Sequence, residues 1–475
     1  MPESAISQLG AADLGSAFAA GKLSPVEVAR DHLARIEAFE PRVNAFVHRD
    51  AETTLAMARA SEARWRQKVP LSPLDGVPVT IKDNLAVAGW PNRRGSAVSS
   101  ATPEARDCPV ADKLRAAGTV FLGKTTMPEY GWKGCADSPL TGMTRNPWDL
   151  STSPGGSSSG AAVCAALNLG CVHLGTDGAG SIRIPAAFTG VFGIKPSFGR
   201  VPAYPISTMG VLAHLGPLTR TVRDSALALD VIARPDPRDM MANLPPENFA
   251  EGLGRSLKGL RIGFSARLGF DVEVDPDIAR LTREAVDVLA LLGAAVEEAD
   301  PGFADPIAPL MVLWASGAAL ALASIPKADQ ARMDPGLVAI ARMGEGISSA
   351  AYVEALLYQR NTLAMRMNAF HDRFDLLVMP TLPLPAFEAG CLSPQHGRYG
   401  TDWTRWTPFT YPFNLPQQPA ASVPSGLTRG GLPAGLQIVG RYGADRLVMA
   451  VAEAFEKARP FAPISAPKSG AKVAG

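Results

Sequence analysis

Three stretches of this 475-residue chain hold residue types at spacings that perform chemistry in other proteins. Gly118-Thr119-Val120-Phe121-Leu122-Gly123-Lys124-Thr125 fits the phosphate-loop pattern, in which backbone N–H groups between the glycines cradle phosphates. Here a helical pattern precedes Gly118 and the residues between the glycines are apolar. A strand therefore falls where the loop would have to be, and nucleotide binding is set aside. Gly156-Ser157-Ser158-Ser159-Gly160 fits the nucleophile elbow, which exposes its central serine between a buried strand and a helix. Residues 145–154 ahead of it contain two prolines and no apolar run. His371 and His396 remain as late partners for an esterase-type triad on Ser158.

The third stretch is distributed over Lys82 in VTIKDN, SPGGSSSG at 153–160 and GTDGAGSIR at 175–183. Alternation along a strand puts Val77, Val79 and Ile81 on one face and Thr80, Lys82 and Asn84 on the other. The first face packs in a core, and Lys82 looks toward a polar site. Each piece alone also has a plain structural reading. Lys82 is then a strand-end lysine, the Ser/Gly run a turn capping the next helix, and Ser181 a helix N-cap.

The elements that must hold these residues alternate. Ser24-Pro25-Val26-Glu27 is a capping box with proline at the first helical position, opening a helix to about residue 40. Strands are expected over 77–82, 119–122, 172–174, 260–264, 376–379, 421–423 and 436–439. Helices are expected over 110–117, 160–169, 278–292, 350–370 and 446–456. Such alternation, without repeats or a long linker, predicts an α/β fold with a central mixed, largely parallel sheet. Apolar residues at 47% and charged residues at 19% exclude a mostly disordered chain. Forty-six basic against 45 acidic residues leave no broad field to attract nucleic acid or an anionic membrane. Cys108, Cys135, Cys164, Cys171 and Cys391 are odd in number and lack a Cys-x-x-Cys pair, which speaks for reduced thiols in a cytoplasmic protein. No basic segment followed by an apolar one opens the chain, so no signal peptide is expected. Residues 306–326 carry no charge and are long enough to span a membrane. Being alanine-rich and bounded by prolines, they are expected to form a buried or cleft-lining helix.

Taken together, the three segments around Lys82, Ser157 and Ser181 resemble the amidase signature family. DSPLTGMTRNPWD at 137–149, IPAAFTGVFGIKPSFGRVP at 184–202 and GLPAGLQIVGRYGADRLVMAVAEAFE at 431–456 are similar to it as well. The resemblance spans roughly residues 5–460 and is strongest over 124–202. It implies a single large α/β domain over 1–467 with helices on both faces of the sheet. The triad core would lie at about 70–235, variable cleft segments at about 300–420 and a flexible tail at 468–475, with fraying past Phe461. It implies hydrolysis of an amide C–N bond through an acyl-enzyme, with Ser181 as nucleophile, Ser157 as relay and a neutral Lys82 as base. Burial would have to bring Lys82 down from about 10.4 toward neutrality, with Asp83 turned to the other face. The amides of Gly178, Ala179, Gly180 and Ser181 would bind the oxyanion, the Gly131 backbone would face the substrate, and Gly156–Ser157 would be cis. Asp177 and Arg183 would support this loop, and neither metal nor organic cofactor is implied. Two positions depart from the family pattern, Ser159 and Ala179 each standing where glycine is usual. Ser159 suits a helical backbone, whereas Ala179 would be strained if its position needs φ > 0.

Tyr399, Trp403, Trp406, Phe409, Tyr411 and Phe413 fall within fifteen residues. With Trp314 and Tyr130 they either line an aromatic cleft or staple a long loop to the core. The first alternative implies an aryl or bulky apolar amide. The resemblance also leaves open a carbamate (urethane) substrate, and a glutaminase component of a tRNA-dependent amidotransferase working with partner chains. The expected partner is thus a small amide or carbamate, without nucleic acid or stable membrane insertion, and with a homo-oligomer possible.

Overall fold

The computed structural model describes residues 5–395 and 399–468. In chain order its strands are β1 (Phe46–His48), β2 (Pro78–Lys82), β3 (Val120–Thr125), β4 (Asp137–Ser138), β5 (Gly142–Met143), β6 (Val172–Asp177) and β7 (Phe192–Lys195). They continue with β8 (His214–Thr219), β9 (Arg261–Phe264), β10 (Ala295–Glu298), β11 (Leu376–Pro380), β12 (Ala420–Leu427) and β13 (Pro433–Gly440). Eleven form one mixed sheet in the order β1-β3-β2-β6-β8-β7-β12-β13-β11-β9-β10, and β4 pairs with β5 apart from it. Parallel pairing joins β3, β2 and β6 in one wing and β11, β9 and β10 in the other. The strands between the wings pair antiparallel, ending in the β12–β13 hairpin.

Helices cover both faces, as expected. On one face Val79 and Ile81 of β2, Phe192 and Ile194 of β7 and Leu436 and Ile438 of β13 share a core with helices Pro109–Ala116, Val222–Ile232, Pro276–Leu291 and Asp445–Ala458. On the other, the small-residue helix Ser159–Ala166 packs with Leu122 and Leu218, its side chains short enough to let it lie close on the sheet. That helix lies on the side of β2 toward which Lys82 points.

The capping box forms as read. Ser24 Oγ accepts from the N–H groups of Val26 and Glu27, and Glu27 accepts from the Ser24 N–H at 2.8 Å. The helix runs to Val43, past the expected residue 40, and ends on Asn44 in the left-handed conformation. The uncharged run becomes helix Ile307–Leu322, with Leu313, Trp314 and Ala318 buried and Leu320 exposed. No helix among the described residues is long and apolar enough to cross a membrane. The expectation of fraying past Phe461 is corrected as far as Lys468. Phe461 packs on Trp148 at 5.5 Å, Ile464 is buried, and the Lys468 backbone bonds to Pro147 and Leu150. Residues 469–475 of the expected tail lie outside the described residues.

Two histidines are sealed beside β2. His32 Nδ1 lies 3.1 Å from the Asn168 carbonyl, and His173 Nδ1 lies 2.9 Å from Thr80 Oγ1. Burial lowers their pKa values to about 4 and about 3. An unfolded chain takes up those protons below about 6.5, while the folded one waits until near 4. The unfolded state thus binds more protons in that window, and this contribution to stability rises with pH from about 4 to about 6.5. The urea midpoint of the variant with both His32→Gln and His173→Gln should therefore climb less steeply over that range than the wild type's. Identical slopes would show that these imidazoles are not held neutral by the fold.

Candidate active site

Lys82 ends β2, wholly buried, with Nζ 2.8 Å from Ser157 Oγ, 3.0 Å from Ser158 Oγ and 3.0 Å from Thr176 Oγ1. Burial lowers its pKa well below the ordinary lysine value, against the opposing pull of the Asp177 charge. Alternation turns the next residue away. Asp83 accepts the N–H groups of Arg93 and Gly95 and pairs with Lys124 at 3.3 Å. Lys124 also donates to Pro91 O and Asn92 Oδ1, both at 2.8 Å. The phosphate-loop match is thus a strand, because β3 runs straight through Gly123, Lys124 and Thr125.

The oxygen atoms around the lysine are ordered by their own bonds. Ser158 Oγ donates to Thr176 O at 3.1 Å and accepts the Thr176 N–H at 3.2 Å. Thr176 Oγ1 accepts from Asn84 Nδ2 at 3.0 Å. Ser158 therefore belongs to the lysine's surroundings and not to an elbow. His371 is buried on helix Arg360–Arg373 with Nδ1 on the Phe374 carbonyl, away from the cleft-lining residues. His396 lies outside the described residues.

Ser181 sits on the loop between β6 and helix Arg183–Thr189. Asp177 shapes that loop by accepting the N–H of Gly180 at 2.7 Å and of Ile182 at 3.1 Å. Arg183 grips both carboxylate oxygens at 3.0 Å, and donates onward to Thr410 O, Gln437 Oε1 and Asn414 Oδ1. Burial pushes the Asp177 carboxyl up, but the charge and hydrogen bonds of Arg183, together with Lys195 and Asn414, outweigh it and hold the group below the usual carboxylate range.

The glycine expectations shift by one residue here. Gly180, at φ 127°, takes the conformation that resists a side chain, and a Cβ on it would meet Thr410 Oγ1 at 2.4 Å. Ala179 is not among the positive-φ residues, so its methyl group is tolerated. The Gly180 N–H, expected to face an oxyanion, is instead consumed by Asp177. Among the described residues, the N–H groups of Gly178, Ala179 and Ser181 have no hydrogen-bond partner. Ser159 begins a helix, as its backbone was expected to, with its Oγ buried and without a hydrogen-bond partner among the described residues.

The Gly156–Ser157 peptide is cis. Ser158 N–H donates to Ser181 O at 3.0 Å, tying the two serine loops together. Ser157, Ser181, Gly178 and Gly131 line one cleft of about 260 Å³. Gly131, at φ 71°, lies so close that a Cβ on it would stand 3.0 Å from Ser157 Oγ. Ser181 Oγ makes no hydrogen bond to any described residue, so the Ser157–Ser181 contact is not formed in this arrangement.

The aromatic cluster is a staple. Trp403, Trp406, Phe409, Tyr411 and Phe413 are all buried, with Trp406 stacked on Phe188 at 5.8 Å and edge-on to Phe387 at 5.0 Å. Tyr399 borders a separate cavity of about 720 Å³. The cleft takes Trp314 and Tyr130 from the expected set and adds Tyr204, Ile206, Met209 and Leu320. Thr176 and the 202–209 loop are the functional surroundings that sequence reading missed. The Tyr204-Pro205 turn signal was present in the sequence, but nothing local says which cavity such a turn borders.

A family model described as Amidase matches residues 27–449. The chain belongs to the amidase signature family. It is 36% identical over 472 residues to an acylamidase from Rhodococcus erythropolis, covering 97% of this chain and 98% of that one. It is 35% identical over 471 residues to a glutamyl-tRNA(Gln) amidotransferase subunit from Chloroflexus aggregans, covering 93% and 94%. A crystal structure of a bacterial aryl acylamidase of the amidase signature family superposes with a TM-score of 0.88 at 33% identity, covering 95% and 96%. The chain is accordingly an amide-hydrolysing enzyme of this family.

The buried Asp177–Arg183 pair is the structural hinge of this amidase's serine loop. Arg183→Met strands the carboxylate without its cation, and is expected to cost about 3–5 kcal/mol in urea unfolding. Adding Asp177→Asn removes the stranded charge and should recover part of that loss. A cost below about 1 kcal/mol for Arg183→Met would contradict a dry, mutually dependent pair.

Proposed function

We propose that Ser181 attacks the carbonyl carbon of an apolar carboxylic amide, with Ser157 relaying its proton to Lys82. The observation that carries this reading is a wholly buried amine 2.8 Å from Ser157 Oγ, in the cleft that Ser181 also lines. A neutral amine has two N–H donors and one lone pair. Ser158 Oγ has committed its own proton to Thr176 O, so toward Lys82 it acts as acceptor. Thr176 Oγ1 accepts the second N–H, and the lone pair is left to the Ser157 hydroxyl.

Among the described residues the Ser181 hydroxyl has no competing hydrogen-bond partner to hold it back from Ser157. As it attacks, its proton passes to Ser157 while the Ser157 proton passes to Lys82. The same path returns a proton to the departing amine, and water then cleaves the acyl-enzyme. The oxyanion falls to the unpartnered amides of Gly178, Ala179 and Ser181, where one good donor contributes about 3–4 kcal/mol. Acyl groups would rest on Trp314, Met209, Ile206 and Leu320. The carboxylate among the cleft-lining residues, Asp177, is already paired with Arg183. Among the described residues nothing else of that charge lines the cleft to take the ammonium of free glutamine, which favours an apolar amide over a glutaminase substrate.

On a neutral anilide, Ser181→Ala and Lys82→Ala should abolish turnover, Ser157→Ala should cost about 10²–10⁴-fold in kcat, and Ser158→Ala less. An inactive Ser158→Ala beside an active Lys82→Ala would overturn the assignment. Because only the neutral amine accepts a proton, kcat/KM should fall as pH drops through the lowered Lys82 pKa. An acid limb that persists unchanged in a Lys82→Ala variant that still turns over would assign that titration elsewhere. Anilide, aliphatic amide, carbamate and glutamine, compared by kcat/KM, should rank the bulky apolar amides first; a preference for glutamine would overturn the apolar-substrate reading.

A further inference from the structure

Two bulky residues at the mouth of the cleft occupy the left-handed region, Arg94 at φ 55° and Tyr130 at φ 52°. Such conformations persist only where surroundings over-determine them, and they gather at functional sites. Here the two are linked through their backbones. The Tyr130 N–H donates to Arg94 O at 2.8 Å, and the Arg94 N–H donates to Asp83 O at 3.3 Å. The Asp83 carboxylate takes the amides on either side, from Arg93 and Gly95. The backbone of Arg94 is thereby hung on the residue that follows Lys82.

Its side chain is treated differently. The guanidinium lies 6.0 Å over the Tyr130 ring, and among the described residues it forms no ion pair and no side-chain hydrogen bond. Arg94, Tyr130 and Ser324 border both the serine cleft and a neighbouring cavity of about 430 Å³. Glu104 and Asp329 border that second cavity too, yet neither pairs with Arg94. A cation whose backbone is held, and which has no ion-pair partner among the described residues, thus stands where the two spaces meet. A guanidinium presents a planar fork of donors that matches a carboxylate.

We propose that Arg94 is a specificity determinant that pairs with a carboxylate on the substrate. The favoured amide then carries an apolar group against Trp314 and Leu320 and an anionic group toward Arg94. This rests on Ser181 and Lys82 acting as described above, and narrows the substrate class they serve. Arg94 is half-buried, so the pair is partly screened and its expected effect is about tenfold.

The test compares butyranilide with two carboxylated analogues, 4-(butyrylamino)benzoate and succinanilate, which place the charge on the amine side and the acyl side. For each, kcat/KM relative to butyranilide is measured in the wild type, Arg94→Gln and Arg94→Glu. The proposal expects that ratio to fall about tenfold in Arg94→Gln for one of the two analogues, and further in Arg94→Glu. Unchanged ratios for both analogues would overturn it, as would equal losses on neutral and charged substrates, which signal a merely structural residue. Affinities for the same compounds in Ser181→Ala, with and without Arg94→Gln, give a readout that does not pass through turnover. There the carboxylated amide should weaken about tenfold more than the neutral one, and no difference would overturn the proposal. A Ser181→Ala variant that remains active would instead refute the nucleophile assignment, leaving the Arg94 ratios to be judged separately.

Discussion

The structure turns on the removal of one lysine amine from water. An ammonium group in a dry interior is costly, so burial lowers the pKa of Lys82 well below the ordinary lysine value and favours its neutral form. Burial at this depth requires a sheet covered on both faces. β2 meets that need, flanked by β3 and β6, with an apolar core against Val79 and Ile81 and helix Ser159–Ala166 on the other side. A neutral amine still needs its two donors and its lone pair satisfied. Ser157, Ser158 and Thr176 surround it closely enough to do so.

The second constraint is electrostatic balance near that amine. Asp177 carries a charge that favours protonated Lys82. Arg183 sits against Asp177 and absorbs that influence, while the carboxylate spends its lone pairs on the Gly180 and Ile182 amides. Geometry and charge are therefore controlled by the same ion pair. Its outer partners Thr410, Asn414 and Gln437 come from the far end of the chain. This explains why a loop of small residues can be held firmly without large side chains of its own.

Much of this was legible in the sequence wherever the rule is local. Strand alternation assigned opposite faces to Lys82 and Asp83, and the capping box opened its helix at Ser24. The apolar run between Gly118 and Lys124 correctly read as a strand. Strand β8 escapes the sequence pattern because Gly216 and Pro217 interrupt it, and β7 and β10 are not among the expected strands either. The demand for glycine was placed at Ala179 when the fold imposes it on Gly180, since it is set by the approach of Thr410 from about 230 residues away. The aromatic residues around 403–413 could not be sorted between cleft and core from composition. Which cavity a ring faces depends on Phe188 and Phe387, partners distant in sequence.

The reach of Arg183 across the chain has a consequence for how the Ser181 loop is completed during synthesis. A nascent polypeptide that has emerged only through residue 200 already contains Lys82, Ser157 and Ser181, but not the acceptors at 410, 414 and 437. In such a fragment the guanidinium has too few oxygens to justify its burial, and β7 has no β12 beside it. The loop that carries Ser181 therefore gains its last anchors only when the closing hairpin is in place.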